Sequence, residues 1–271
     1  LGHSYGIQNE TIEKIKDYSK KTIISQWFED HLADTGPDFS SNRKKLLKYD
    51  DFITSNFITT HPSTLNFLKK KKNFHYLPIP VDRNIEKLKI YENKNQICDV
   101  FFSMSHGVNR GKLKRDKEDE RHNFITDLIT QCPNIIFDIY GYKNREPVWA
   151  EDFYKVIVNS KMALNLTRGK PIKYLTSNRI ASLIGNGLLT FIDKKTKLDN
   201  FFNKNEVIFY SGLQDLAEKI NRFKGDDKAR MKIAKNGRKR YFELFECQKI
   251  SDYIISKSFN RETSKQLKWM D

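Results

Sequence analysis

From residue 97 onward, apolar runs short enough for strands alternate with segments of helical spacing. Residues 97–102 read as a strand, 118–131 as a helix, 135–140 as a strand and 151–160 as a helix. Further apolar runs stand at 162–166, 188–192 and 207–210, and Leu213, Leu216, Ala217, Ile220 and Phe223 then fall on one helical face. A long helix over 227–245 and a shorter one carrying Ile250, Tyr253 and Ile254 follow, and the end of the chain reads as a frayed tail. Strands that are apolar throughout predict a sheet covered on both faces. Buried strands alternating with helices predict a parallel, doubly wound α/β domain, whose ligands sit outside the carboxyl ends of the strands.

Before residue 95 the same grammar is thinner: a helix near 10–20 and strands near 22–27, 52–54 and 74–78. That is too few strands for a complete domain, and the opening Leu1-Gly-His-Ser reads as the end of a strand, so residues are expected to be missing upstream. Pro78, Pro80 and the polar stretch 83–94 read as a connection. The expected organisation is a truncated N-terminal α/β domain over 1–95, a C-terminal α/β domain over 96–250, and a helix and tail over 251–271.

Composition narrows the class. With 38% hydrophobic and 13% aromatic residues in 271, the chain can build packed cores. Its 49 Lys and Arg against 34 Asp and Glu give a net charge of +15, which favours polyanions, phosphorylated ligands or acidic membranes. Cys98, Cys132 and Cys247 are widely spaced, which argues against a disulfide framework or zinc site and fits a reducing, cytoplasmic setting. No run approaches the roughly 20 apolar residues of a membrane span. A peripheral contact at the inner membrane face stays compatible with the charge.

The most informative stretch runs from Leu164 to Gly187: a strand, a polar loop, a helix and a glycine-ended turn. Arg168, Lys170, Lys173 and Arg179 gather cations beside a helix opening near Ser177 or Asn178, where free backbone N–H groups and the dipole also favour an anion. Asn165 and Gly169 stand in the same loop region. Upstream, the loop 103–111 follows the strand 97–102, and its Gly107, Asn109, Arg110 and Gly111 could admit a phosphate or sugar. It has neither the GxGxxG nor the P-loop spacing. Arg121 on the next helix could reach back to it, although an exposed ion-pair role beside Glu118 and Glu120 is the blander reading. Gly141 and Tyr142 end a strand on the same edge, where the glycine permits close approach and the tyrosine could stack on a base.

These residues bring a family into view. Leu164-Asn-Leu-Thr-Arg168, Arg179 opening a helix, and Gly185-Asn-Gly187 resemble the C-terminal domain of group 1-like glycosyltransferases related to the spore-maturation CgeB type. The strand 188–192, Asn200-Phe-Phe202, the strand 207–210, Leu216-x-x-Lys-Ile220 and Ala234-x-x-Gly237-x-x-x-Tyr241 continue the likeness in order, so that it covers about residues 97–250. Ser182 departs from it, standing where many members carry a Glu that grips the donor.

The resemblance implies a GT-B-like fold of two Rossmann-like domains. It implies a metal-independent enzyme with no cofactor that moves a sugar from a nucleoside diphosphate sugar to a glycan or lipid-linked acceptor, in bacterial surface polysaccharide synthesis. The C-terminal domain then binds the donor through the residues above and Gly187. The N-terminal domain presents the acceptor, with His3 and Asp30 as candidate bases. Two alternatives stay open: a sugar-nucleotide epimerase on the same fold, and a basic nucleic-acid-binding protein. The second is disfavoured because its motifs are missing and the cations scatter without forming a helical stripe.

Overall fold

Parallel pairing runs through both sheets of the protein. The computed structural model describes residues 1–2, 6–36, 38–105, 120–262, 267 and 269. In chain order the main elements are α1 (Asn9–Tyr18), β1 (Ser25–Phe28), α2 (Phe39–Leu46), β2 (Ser55–Ile58), β3 (Phe74–Tyr76), β4 (Cys98–Ser103), α3 (Glu120–Gln131) and β5 (Phe137–Tyr140). There follow α4 (Ala150–Ile157), β6 (Ser160–Asn165), α5 (Asn178–Gly185), β7 (Leu189–Asp193), β8 (Ile208–Tyr210), α6 (Leu213–Gly225), α7 (Asp227–Phe245) and α8 (Cys247–Ser258).

Two compact units result. The first comprises Leu1–Pro80, Ile172–Ser177 and Leu244–Asp271; the second comprises Val81–Pro171 and Asn178–Glu243. The division therefore falls at Pro80, earlier than the 95 expected from the proline and charge pattern. The stretch read as a connection is packed on the second unit: Ile90 is buried with Phe101 and Leu183, and the Ile90 N–H donates to the Asn186 carbonyl at 2.8 Å.

In the first unit the strand order is β1-β2-β3. Sequence reading placed the second strand at 52–54, whereas β2 is Ser55–Ile58 and all four of its residues are buried. Polar Ser55 and Asn56 disguised it; the Ser55 hydroxyl is satisfied by the Lys257 carbonyl of α8 at 3.2 Å. Within the stretch expected to fray, one residue is packed. Trp269 is 1% exposed, meets Tyr253 edge-on at 4.6 Å between centroids and donates its indole N–H to the Leu244 carbonyl.

The second unit has the order β5-β4-β6-β7-β8, every pair parallel. Alternation along each strand sends side chains to two cores, as a sheet covered on both faces requires. Val100, Phe102, Met162 and Leu164 pack with Ile125 and Leu128 of α3 and with Leu216 and Ile220 of α6. Phe101 and Ala163 pack oppositely with Ile157 of α4 and Leu183 of α5. The terminal family motif is a packing device: on α7 a Cβ at Gly237 would lie 2.1 Å from the Glu206 carbonyl oxygen, and Tyr241 stacks on Phe202 at 5.8 Å. Among the described residues no helix is long and apolar enough to cross a membrane.

Candidate functional site

In the second unit the chain runs from β4 outward to β5, then back across β4 to β6. The direction of winding reverses between β4 and β6, so the helices after these two strands leave toward opposite faces and open a crevice at the carboxyl edge. β4 exits there through Met104 and β6 through Asn165, which is 6% exposed. The loop from β6 continues through Leu166 and half-buried Arg168 to Gly169. The Gly169 N–H donates to the Glu120 carboxylate, tying the loop after β6 to the start of α3.

Arg179 sits in the first turn of α5. It donates through Nη1 to the Leu166 carbonyl at 2.8 Å, and its guanidinium lies 4.9 Å from the centroid of the Phe102 ring. It thereby fixes the β6 exit against the β4 exit, beside the amino end of α5, where the helix dipole favours an anion. α5 starts at Asn178, which is exposed, and Ser177 precedes it. Asn165, Arg168, Gly169, Asn178 and Arg179 thus stand at one edge of the sheet.

Other expected residues are placed differently. Lys173 belongs to the first unit, because 172–177 packs there: the Tyr76 hydroxyl donates to the Tyr174 carbonyl at 2.7 Å, and the Lys173 ammonium lies 4.7 Å from the Tyr174 ring centroid. Gly187 lies at the opposite, amino edge of the sheet, since α5 has carried the chain back to the start of β7. Tyr142 is 8% exposed, with its hydroxyl 2.8 Å from Thr126 Oγ1 and its ring 4.6 Å from that of His122; a ring so enclosed has no free face for a base. Gly141, at φ +72°, is required by the protein itself, because a Cβ there would sit 1.8 Å from the Met104 carbonyl oxygen. Arg121 is 6% exposed within α3, not a solvated surface cation. His3, Gly107, Asn109 and Arg110 lie outside the described residues.

The first unit has its own carboxyl edge. Asp30 follows β1, half-buried, and the loops after β1 and β2 are joined by Thr59 Oγ1 donating to the Glu29 carbonyl at 2.7 Å and by the Leu32 N–H donating to Thr60 Oγ1. His61, which sequence reading passed over, stands at this edge beyond β2. Its Nδ1 accepts from the Ser63 N–H, and its ring lies 5.2 Å from Tyr76 and 5.3 Å from Tyr174. Burial, then the nearby Lys173 charge, lowers its pKa to about 4, so the imidazole is neutral near pH 7. The signal in the sequence was a histidine directly after the short apolar run Phe57-Ile58 and the Thr59-Thr60 pair.

The cations do not all scatter. Lys228, Lys232, Lys235 and Lys239 are exposed on α7 at 4-3-4 spacing, so part of the positive charge does form a helical stripe.

Both units are parallel α/β, and the second reverses its strand order beside a helix amino terminus, the position at which such sheets bind ligands. The Glycosyl transferase-like family matches residues 117–256, more than half of the 271 residues, and the chain belongs to that family. A comparison with curated protein sequences finds no match. Among solved structures, Anabaena HepE in complex with UDP is 14% identical and superposes with a TM-score of 0.63 over 93% of this chain and 77% of that one. Sucrose-phosphate synthase of Thermosynechococcus elongatus is 11% identical, with a TM-score of 0.60 over 93% and 77%. A UDP-forming trehalose-phosphate synthase of Burkholderia xenovorans is 9% identical, with 0.57 over 95% and 72%. These identities make the likeness one of fold, and the fold is GT-B-like.

Proposed function

We propose that this glycosyltransferase takes its sugar from a nucleoside diphosphate sugar bound at the carboxyl edge of the second unit, and passes it to a glycan or lipid-linked acceptor of a bacterial surface polysaccharide. The observation that carries this reading is the strand-order reversal between β4 and β6, with the amino end of α5 and Arg179 fastened across it. HepE, solved with UDP and with UDP-glucose, supports a uridine nucleotide as the first donor to try.

In this reading the diphosphate lies against the first turn of α5 and Arg168. As the acceptor oxygen bonds to the anomeric carbon, the bond from that carbon to the phosphate oxygen breaks and the acceptor proton passes to a base. Negative charge builds on the departing diphosphate, where the α5 dipole and the cations stabilise it without having to reorganise. Asp30 and the neutral His61 are the candidate proton acceptors in the first unit. The reading expects no metal, so activity should survive a chelator.

The test is a melting series with UDP-, GDP- and other nucleotide sugars, followed by product analysis. Stabilisation by one donor class, and release of its nucleoside diphosphate only with acceptor present, is the expected result. Acceptor-independent conversion of the donor sugar would identify an epimerase. Salt-sensitive oligonucleotide binding without nucleotide-driven stabilisation would favour the polyanion role that the α7 lysine stripe permits.

A further inference from the structure

Because β1, β2 and β3 are parallel, the segments leading into all three arrive at one edge of the first unit's sheet, opposite the edge that carries Asp30 and His61. The end of α1 and the turn after it lead into β1, and the lysine run 69–72 leads into β3. The carboxyl end of α8 is fastened to the same edge. Ser258 Oγ lies 2.6 Å from Ser25 Oγ, and the Ser55 hydroxyl bonds the Lys257 carbonyl. Three stretches distant in sequence therefore form one surface.

This surface is amphipathic in composition. Tyr18 is 96% exposed, and Ile23, Ile255 and Phe259 are exposed as well, so large apolar side chains face water on an otherwise well-packed unit. Interleaved with them are Lys20, Lys21, the run 69–72, Lys257 and Arg261. Arg261 lies over the exposed Phe259 ring at 5.0 Å, and Lys257, Asn260, Arg261 and Glu262 line a shallow depression beside it. Asp17, Asp50, Asp51 and Glu262 oppose this charge, Asp50 being already paired with Lys71. Cations alone would suit any polyanion in water. Exposed aromatic and aliphatic side chains among them suit a ligand that offers phosphates above an apolar layer.

We propose that the amino edge of the first unit docks on an anionic phospholipid bilayer, with Tyr18, Ile23 and Phe259 entering the headgroup layer and the surrounding cations meeting lipid phosphates. Docking there leaves the Asp30 and His61 edge uncovered. The proposal does not rest on the donor reading, which concerns the other unit.

The test is sedimentation of the full chain with phosphatidylcholine vesicles, with and without phosphatidylglycerol. Binding should require the anionic lipid and weaken as salt rises. The triple variant K20E/K21E/R261E should bind at least about tenfold more weakly. The variant Y18S/F259S, which keeps every charge, should also bind several-fold more weakly while retaining the parent melting temperature. A single-stranded oligonucleotide serves as the polyanion control. Equal affinity for neutral vesicles, no binding to anionic ones, or an undiminished Y18S/F259S variant would overturn the proposal. The last result, joined to tight oligonucleotide binding, would assign the surface to nucleic acid.

Discussion

Replacing Gly141 by alanine tests how the crevice edge is built. The added Cβ would stand 1.8 Å from the Met104 carbonyl oxygen, against backbone that has no rotamer by which to yield. Met104 is itself held, its N–H donating to the Tyr140 carbonyl at 3.1 Å. At φ +72° an alanine also meets the left-handed penalty of about 1–2 kcal/mol. Forcing the β4 and β5 exits apart adds about 1–3 kcal/mol by analogy with overpacked cores. The sum, about 2–5 kcal/mol, corresponds to a fall in melting temperature on the order of 10 °C for a protein of this size. Thermal unfolding followed by far-ultraviolet circular dichroism measures it. Because Met104 begins the loop on one side of the crevice, nucleotide affinity should fall as well. A Gly141→Ala protein that melts with the parent and binds nucleotide equally would show that the two exits do not touch as described.

Further expectations bear on other parts of the account. Tyr142→Phe removes one neutral hydrogen bond to Thr126 and should cost about 1 kcal/mol of stability without changing nucleotide affinity, whereas a base-stacking tyrosine replaced by alanine would lose affinity out of proportion to stability. Trp269→Ala should destabilise by about 3–5 kcal/mol in urea unfolding, while an unconstrained tail would show no change. Burial, aided by Lys173 and Lys257 respectively, lowers the pKa of His61 and His75 to about 4 from 6.5. Between those values the unfolded chain binds more protons than the folded one. Stability from this source is therefore complete above about pH 6.5 and is lost as pH falls toward 4. Melting temperatures across pH 4–7 should follow that slope, and a His61→Gln/His75→Gln variant should flatten it.

The fold of the second unit was largely legible in the chain. Its strands are buried on both faces, so runs such as Met162-Ala163-Leu164 carry an unbroken apolar signal, and the helices between them keep apolar stripes. The first unit was harder to read because β2 buries Ser55 and Asn56 among its four residues, and charge-dense α2 offers little apolar periodicity. Its closing pieces, α8 and Trp269, return from the far end of the sequence, which no local pattern announces. For the site, the cations and helix start around Arg168 to Arg179 were visible as types and spacing. What spacing could not convey was direction. Gly187 and Arg168 belong to one motif, yet α5 carries Gly187 to the opposite edge. Lys173 lies between them in sequence and packs with the other unit. Tyr142 followed a strand as a ligand-stacking residue would, and only the positions of Thr126 and His122 identify it as core.

Hydrogen exchange of the full chain with and without a saturating nucleoside diphosphate, UDP first, tests the central claim most directly. Bound diphosphate should slow exchange in peptides covering 166–169 and 178–181, at the β6 exit and the first turn of α5, while peptides around Gly187 at the opposite edge stay unchanged. Clear nucleotide binding with no protection at either of those two segments would contradict the account.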